Sequence, residues 1–212
     1  MNNCPLCLED NCQHYFDNTK KSFYKCNTCK MIFTSRECLL EADEENKIYD
    51  RHENDPNDIH YVNFMERILT PIREYLPPNS SGLDFGCGPG PVIKSVLSKE
   101  GYSISEYDPF YFNDKRLLEA KYDFVISTEV IEHIYDTKID LELMLSMLKE
   151  KGVLGIMTSF YPSGIDKFKR WGYHQDPTHV RFFNEETFEW IALKYNLELI
   201  IPRKNVAIFK KV

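Results

Sequence analysis

The stretch LDFGCGPG, Leu83 to Gly90, allows few structures around it. The residues leading into it, SGLDFG, read as a short apolar strand, and PGPVIKSVLSKEG after it reads as a helix closed by Gly101. Strand, glycine turn and helix open a βαβ unit. Glycines at such a turn let the backbone approach a ligand and bend sharply into the helix. Their spacing selects among ligands. The dinucleotide fingerprint G-x-G-x-x-G would need a glycine where Pro91 stands, and the phosphate loop G-x-x-x-x-G-K is absent. The pattern present is acid-x-Gly-x-Gly-x-Gly: Asp84, Gly86, Gly88 and Gly90.

A chain of 212 residues, 42% apolar, fits one ordinary domain plus a small appendage. Its mean hydropathy of −0.45 and the lack of a long apolar run argue against a membrane span. The opening MNNCPLCLED lacks the basic and apolar regions of a secretory leader, so the seven cysteines point to a reducing, cytoplasmic setting. The net charge of −7 is unevenly placed. Residues 41–60 hold eight acids against Lys47 and Arg51, which puts −6 there and leaves the rest near neutral. That balance argues against a nucleic-acid partner.

Cys4-x-x-Cys7 and Cys26-x-x-Cys29, eighteen residues apart, have the spacing of a tetrahedral Cys4 zinc site. HYFDNTKKSFYK between them reads as a hairpin, and MIFTS can add a third strand. This is a zinc-ribbon pattern over residues 1–38, a length that needs a metal staple because it buries too little surface alone. Cys12 or His14 is an alternative ligand; Cys38 reads as a core or surface thiol and Cys87 as structural. The acidic connector, 39–58, reads as a helix or an irregular crossing. From Ile59, apolar residues recur at helical spacing to Leu76, with Pro71 as a kink and Pro77-Pro78 as the stop.

Acid-x-Gly-x-Gly-x-Gly at the end of a first strand resembles motif I of the class I S-adenosylmethionine-dependent methyltransferases. The series continues in order: YSISEYD as a second strand, YDFVISTEVIEHI as the fourth strand and its turn, MLSMLKEKGVLGIMTS as a helix and fifth strand, and LELIIP with NVAIFKKV as a terminal hairpin. The resemblance covers residues 59–212. It implies an α/β fold: a doubly wound, mostly parallel seven-stranded Rossmann-like sheet, with the zinc ribbon before it. It also implies S-adenosylmethionine in the Gly86–Gly90 turn, Asp108 on the ribose hydroxyls, Asp84 orienting the turn, and Ser127 completing the cofactor-facing set. One departure stands out: only fourteen residues separate Asp108 from Asp123, which compresses the usual third strand. Phe110, Tyr111 and Phe112 in that stretch read as core filling rather than an adenine stack.

Ligands of open α/β sheets bind beyond the carboxyl ends of the strands. Ser127, Thr128, Glu129, Glu132 and His133 follow the fourth strand there, and FYPSGIDKFKRWGYHQDPTHVRFF after the fifth reads as a substrate lid. His133 and His179 are the candidate general bases, with Glu129 or Asp176 to orient them. His174, Asp176 and His179 offer an alternative metal set. Lys167, Lys169, Arg170 and Arg181 suit a flat, partly acidic acceptor. The leading reading is methyl transfer to O, N or C of a small-molecule acceptor. The alternatives are an RNA or protein acceptor guided by the ribbon, and a non-catalytic adenosylmethionine- or adenosylhomocysteine-binding protein.

Overall fold

The computed structural model describes residues 3–49, 55 and 58–212. The central sheet has six strands: β4 (Ser81–Phe85), β5 (Ser103–Tyr107), β6 (Tyr122–Thr128), β7 (Leu148–Met157), β9 (Leu197–Arg203) and β10 (Val206–Lys211). Their order is β5-β4-β6-β7-β10-β9. The first four run parallel; β10 is antiparallel to both of its neighbours, so the expected terminal hairpin is present.

Side chains alternate between the two faces of this sheet, as the period of a strand requires. Leu83, Val125, Leu154, Ile156, Ala207 and Phe209 face one core layer, with residues of α4 (Thr137–Ser146) and α6 (Glu185–Tyr195). Phe124, Ile126, Val153, Met157 and Ile208 face the other, with residues of α2 (Ile59–Ile72) and α3 (Ile93–Leu97). Helices on both faces make the fold doubly wound. Gly155 in β7 lets α2 lie close, because a Cβ there would meet Ile72 Cδ1 at 2.6 Å. Pro71 sits inside α2, which continues as a 3-10 turn at Arg73–Tyr75. Asn184 caps α6, accepting from the Thr187 amide at 3.1 Å.

The seventh strand expected from the sequence is not formed. The fourteen residues between Asp108 and Asp123 make a bridge, Asp108 to Phe112, and a 3-10 turn at Lys115–Glu119. A parallel crossover takes a dozen residues or more, so this length cannot supply a strand with a connection on each side. The sheet therefore ends at β5.

A second sheet, order β1-β2-β3-β8, contains β1 (Cys12–Asp17), β2 (Ser22–Cys26) and β3 (Ile32–Thr34), a ribbon-like meander. Its fourth strand, β8 (Arg181–Phe182), comes from the expected lid, which also holds the short helix α5 (Ile165–Arg170), with Ile32 opposite Phe182 and Phe33 opposite Arg181. Phe23 and Ile32 pack with Tyr161, Phe168 and Phe182 in one apolar cluster, so ribbon and lid share a core. The described part of the connector folds as α1 (Ala42–Tyr49). Among the described residues, no helix is long and apolar enough to cross a membrane.

Candidate active site

The glycine turn leaves β4 with Gly86 at φ 79° and Gly88 at φ 65°, the left-handed region that favours glycine. A Cβ on Gly86 would lie 2.4 Å from Val130 Cγ2, in the turn after β6, so the two turns can meet only across a bare backbone. Asp108 ties the turn down. Its carboxylate accepts from the Gly88 amide at 3.0 Å and from the Phe110 and Tyr111 amides at 2.9 and 3.2 Å. A carboxylate offers about four lone-pair positions. Three are thus engaged, and one remains for a hydroxyl.

Asp84 stands beneath the turn, 2% exposed, with Oδ1 buried and lacking a hydrogen-bond partner. Burial, then the nearby Glu106 and Asp108 carboxylates, pushes its pKa up to about 8. The Tyr61 and Cys87 side chains also face it. An orphaned acid at this place fits a cationic ligand group such as an ammonium. The shift also has a stability consequence. Folded Asp84 keeps a proton that the unfolded chain gives up near pH 4, so the native state holds more protons between about pH 4 and 8. Its contribution is present at low pH and lost as pH rises toward 8. The melting temperature of the ligand-free protein is expected to fall between pH 6 and 8.5, and Asp84→Asn to flatten that slope in thermal melts.

The turn forms one wall of a cleft of about 730 Å³, lined by Gly86, Gly88, Asp108, Glu129, His133 and His179 among others. That volume is in the range of small-molecule sites. Six carboxylates line it (Glu45, Asp108, Glu129, Asp136, Asp140, Asp176), with no lysine or arginine among the described lining residues. Glu45 and Tyr49 come from α1, in the acidic connector. Tyr49 Oη donates to Glu45 Oε1 at 2.6 Å, and the Tyr49 ring packs edge-on against His133 at 5.3 Å. Phe110 also lines the cleft and is 41% exposed, so it does not fill the core as expected.

At the far end, β6 delivers Glu129 in a left-handed conformation, φ 52°, unusual for a side-chain-bearing residue. The Tyr173 hydroxyl contacts two carboxylates, Glu129 Oε2 at 2.9 Å and Glu132 Oε1. A hydroxyl donates one proton, so it can serve only one of these oxygens at a time. Glu132 is 0% exposed; burial and the Glu129 charge push its pKa up to about 8. The His133 and His179 rings lie 4.7 Å apart, and each uses Nδ1 against a backbone carbonyl, Thr178 O at 3.2 Å and Tyr173 O at 2.8 Å. A carbonyl only accepts, so Nδ1 carries a hydrogen in both; in the neutral ring Nε2 then holds the lone pair.

The structure therefore brings together Gly86, Gly88, Asp108, Glu129, His133 and His179 around one cleft, with Asp84 under its floor. Gly90 lies outside the lining. So does Ser127, whose Oγ is buried inside β6 without a hydrogen-bond partner; Thr128, one residue on, lines the cleft instead. His174 is separated from the expected metal set: it is buried and stacks on Phe168 at 5.0 Å, 13° between planes. The lid cations do not line the cleft. Arg181 is buried and donates to the carbonyls of Val180 and Tyr135, and Lys169 lies over the Phe16 ring. The sequence pattern missed Tyr173, Glu45 and Tyr49. A tyrosine directly before His174 on the lid is the one trace that could have suggested Tyr173.

The four sulfurs of Cys4, Cys7, Cys26 and Cys29 converge within 4.8 Å of one another, with Cys4 to Cys29 and Cys7 to Cys26 at 3.4 Å. None is in a disulfide. A tetrahedral cation with metal–sulfur bonds of about 2.3 Å holds its ligands about 3.8 Å apart, so this donor set suits one. Cys12 and His14 are outside the set.

Comparison with known proteins bears on the fold and the family. The methyltransferase-domain family profile matches residues 58–201. No curated protein shows significant sequence similarity. Among solved structures, the chain is similar to a sarcosine dimethylglycine methyltransferase candidate from Galdieria sulphuraria, at 19% identity and TM-score 0.54 over 77% of this chain and 69% of that one. It is similar to the 1,6-didemethyltoxoflavin-N1-methyltransferase of Burkholderia thailandensis, seen with S-adenosylhomocysteine, at 12% identity and TM-score 0.51 over 94% and 99%. It spans only 53% of the CurJ carbon methyltransferase chain, at TM-score 0.46 and 14% identity. At these identities the structural likeness speaks for the fold alone. The family match spans well over half of the chain, from the start of α2 into β9. The chain belongs to the methyltransferase-domain family and is an S-adenosylmethionine-dependent methyltransferase.

Proposed function

We propose that the protein methylates a small neutral or cationic acceptor held between Glu129, His133 and His179, with the cofactor lying along the Gly86–Gly90 turn. The observation that carries this reading is the charge of the cleft: six carboxylates and no described lysine or arginine. A polyanion is repelled by such a lining, while a sulfonium-bearing cofactor is attracted. Two of the ribbon's lysines are already engaged elsewhere. Lys21 is buried against backbone carbonyls, and Lys25 lies over the Tyr15 and Tyr161 rings.

When bound, S-adenosylmethionine supplies a methyl group on an already activated sulfonium, so the chain has mainly to align the acceptor with it. Asp84 would meet the cofactor's ammonium end. Asp108 holds the turn in shape and keeps one lone-pair position for a ribose hydroxyl. His133 and His179 present Nε2 lone pairs that promote loss of a proton from an acceptor that must lose one. At the N-terminus, Cys4, Cys7, Cys26 and Cys29 would hold one structural zinc.

Two measurements test this reading. In calorimetry with S-adenosylhomocysteine, Asp108→Ala is expected to weaken binding by about 1.5–3 kcal/mol, the range for hydrogen bonds to a charged group. Wild-type protein that binds NADH tightly instead would refute the cofactor assignment. Incubation with labelled methyl donor and a metabolite extract should transfer label to a small product. Label appearing only in RNA or protein, with a steep salt dependence, would overturn the acceptor class.

A further inference from the structure

The lone pairs of His133 and His179 do not stand alone. A carboxylate oxygen of Glu132 and one ring nitrogen from each histidine lie within 4.8 Å of one another. We propose that Glu132, His133 and His179 bind a divalent first-row transition-metal cation at the acceptor end of the cleft, and that the histidines act on the acceptor through it. The inference rests on the placing of the acceptor argued above and names what would hold its reacting oxygen or nitrogen.

Four features support a metal site over a chance meeting of polar groups. Donor distance comes first. Bonds of about 2.0–2.2 Å hold donors roughly 3–4.4 Å apart, so the triad closes on a cation with shifts on the order of 1 Å. Second, Glu132 is fully buried, and its Oε2 has no hydrogen-bond partner. A buried, partnerless carboxylate oxygen is costly unless something positive meets it. Third, both imidazoles carry the orientation expected of metal ligands, with Nδ1–H donated to the Thr178 and Tyr173 carbonyls. Fourth, the Tyr173 hydroxyl reaches Glu132 Oε1 and Glu129 Oε2, which fixes the carboxylate and places a further acid alongside.

The donor set gives the cation class. Two imidazoles and one carboxylate suit Mn²⁺, Fe²⁺ or Zn²⁺ better than Ca²⁺ or Mg²⁺, which prefer all-oxygen shells. Three protein ligands leave coordination positions open, and both histidines line the cleft. An acceptor carrying two adjacent oxygen or nitrogen donors could chelate there and would be oriented by the cation.

Mn²⁺ is the probe of choice because it avoids the thiolate cluster. Zinc-loaded protein titrated with Mn²⁺ should show, by electron paramagnetic resonance, loss of the free-ion signal at one equivalent beyond the zinc. The bound ion should carry electron spin-echo modulation from directly coordinated imidazole nitrogen. Glu132→Gln and His179→Ala should each weaken Mn²⁺ binding at least about tenfold. S-adenosylhomocysteine binding on the same samples reports the cofactor assignment separately and shows that the variants are folded. Wild-type protein that leaves millimolar Mn²⁺ free, or binds it without nitrogen modulation, would overturn the proposal. So would folded variants that bind as the wild type does.

Discussion

Removal of the zinc proposed for the Cys4–Cys7–Cys26–Cys29 cluster is expected to abolish methyl transfer while S-adenosylhomocysteine still binds. Zinc in such modules contributes on the order of 10–16 kcal/mol at neutral pH. The strands it staples are too few to hold together alone. The loss does not stop at the ribbon. Lys21 Nζ donates to the backbone carbonyls of Asp176 and His179, at 2.8 Å to the latter, and Phe23 packs against both Phe168 and His174. With β3 paired to β8, these contacts hold the loop that carries His179 into the cleft. The glycine turn rests on β4 and β5, outside that sheet, so cofactor binding is expected to survive. Zinc analysis of protein purified without added metal, amide exchange over residues 176–182 and calorimetry after chelation read the three parts. Reduced, ordered cysteines in metal-free, fully active protein would defeat the expectation.

His133→Ala is expected to lower kcat by about 10²–10⁴-fold with cofactor affinity little changed, the span over which assistance to proton loss operates. The ring lies between Tyr49 and His179 at the acceptor end, away from the turn that Asp108 braces. His179→Ala should resemble it. Its Nδ1–H holds the Tyr173 carbonyl, so a drop in melting temperature is also expected there. Kinetics with the identified acceptor decide. Normal turnover in both variants would mean that alignment alone carries the reaction and that these rings are structural.

The parts of the site that depend on local spacing could be read from the sequence. Asp84, Gly86 and Gly88 are fixed by the geometry of one turn, and the doubled Cys-x-x-Cys spacing foretells the convergence of four sulfurs. The parts that depend on distant packing could not. Glu45 and Tyr49 sit in a segment whose charge density matches a solvated helix. What shows that it docks are tertiary contacts: the Tyr135 hydroxyl reaches the Leu40 carbonyl and Glu45 Oε2, and the Tyr49 ring packs against His133 and Phe110. The expected seventh strand failed for a countable reason, the fourteen residues after Asp108. Ser127 was displaced by register: in an alternating strand, a shift of one residue turns a cleft position into a buried one. The lid cations misled because Arg181 is drawn into the β3–β8 contact, where it satisfies carbonyls instead of meeting a ligand.

The β3–β8 pairing also sets an order of events in folding. Ile32 and Phe33 find their partners at Phe182 and Arg181, so the N-terminal meander cannot complete its sheet until nearly the whole chain exists. Contacts of such sequence separation are formed late and slow folding, because the loop between them must be closed first. The cysteine pairs, by contrast, are local and can take up an ion as soon as they emerge. During synthesis the cysteine pairs are thus complete long before the β3–β8 pairing, which brings the acceptor loop into place and must wait for residues 181–182.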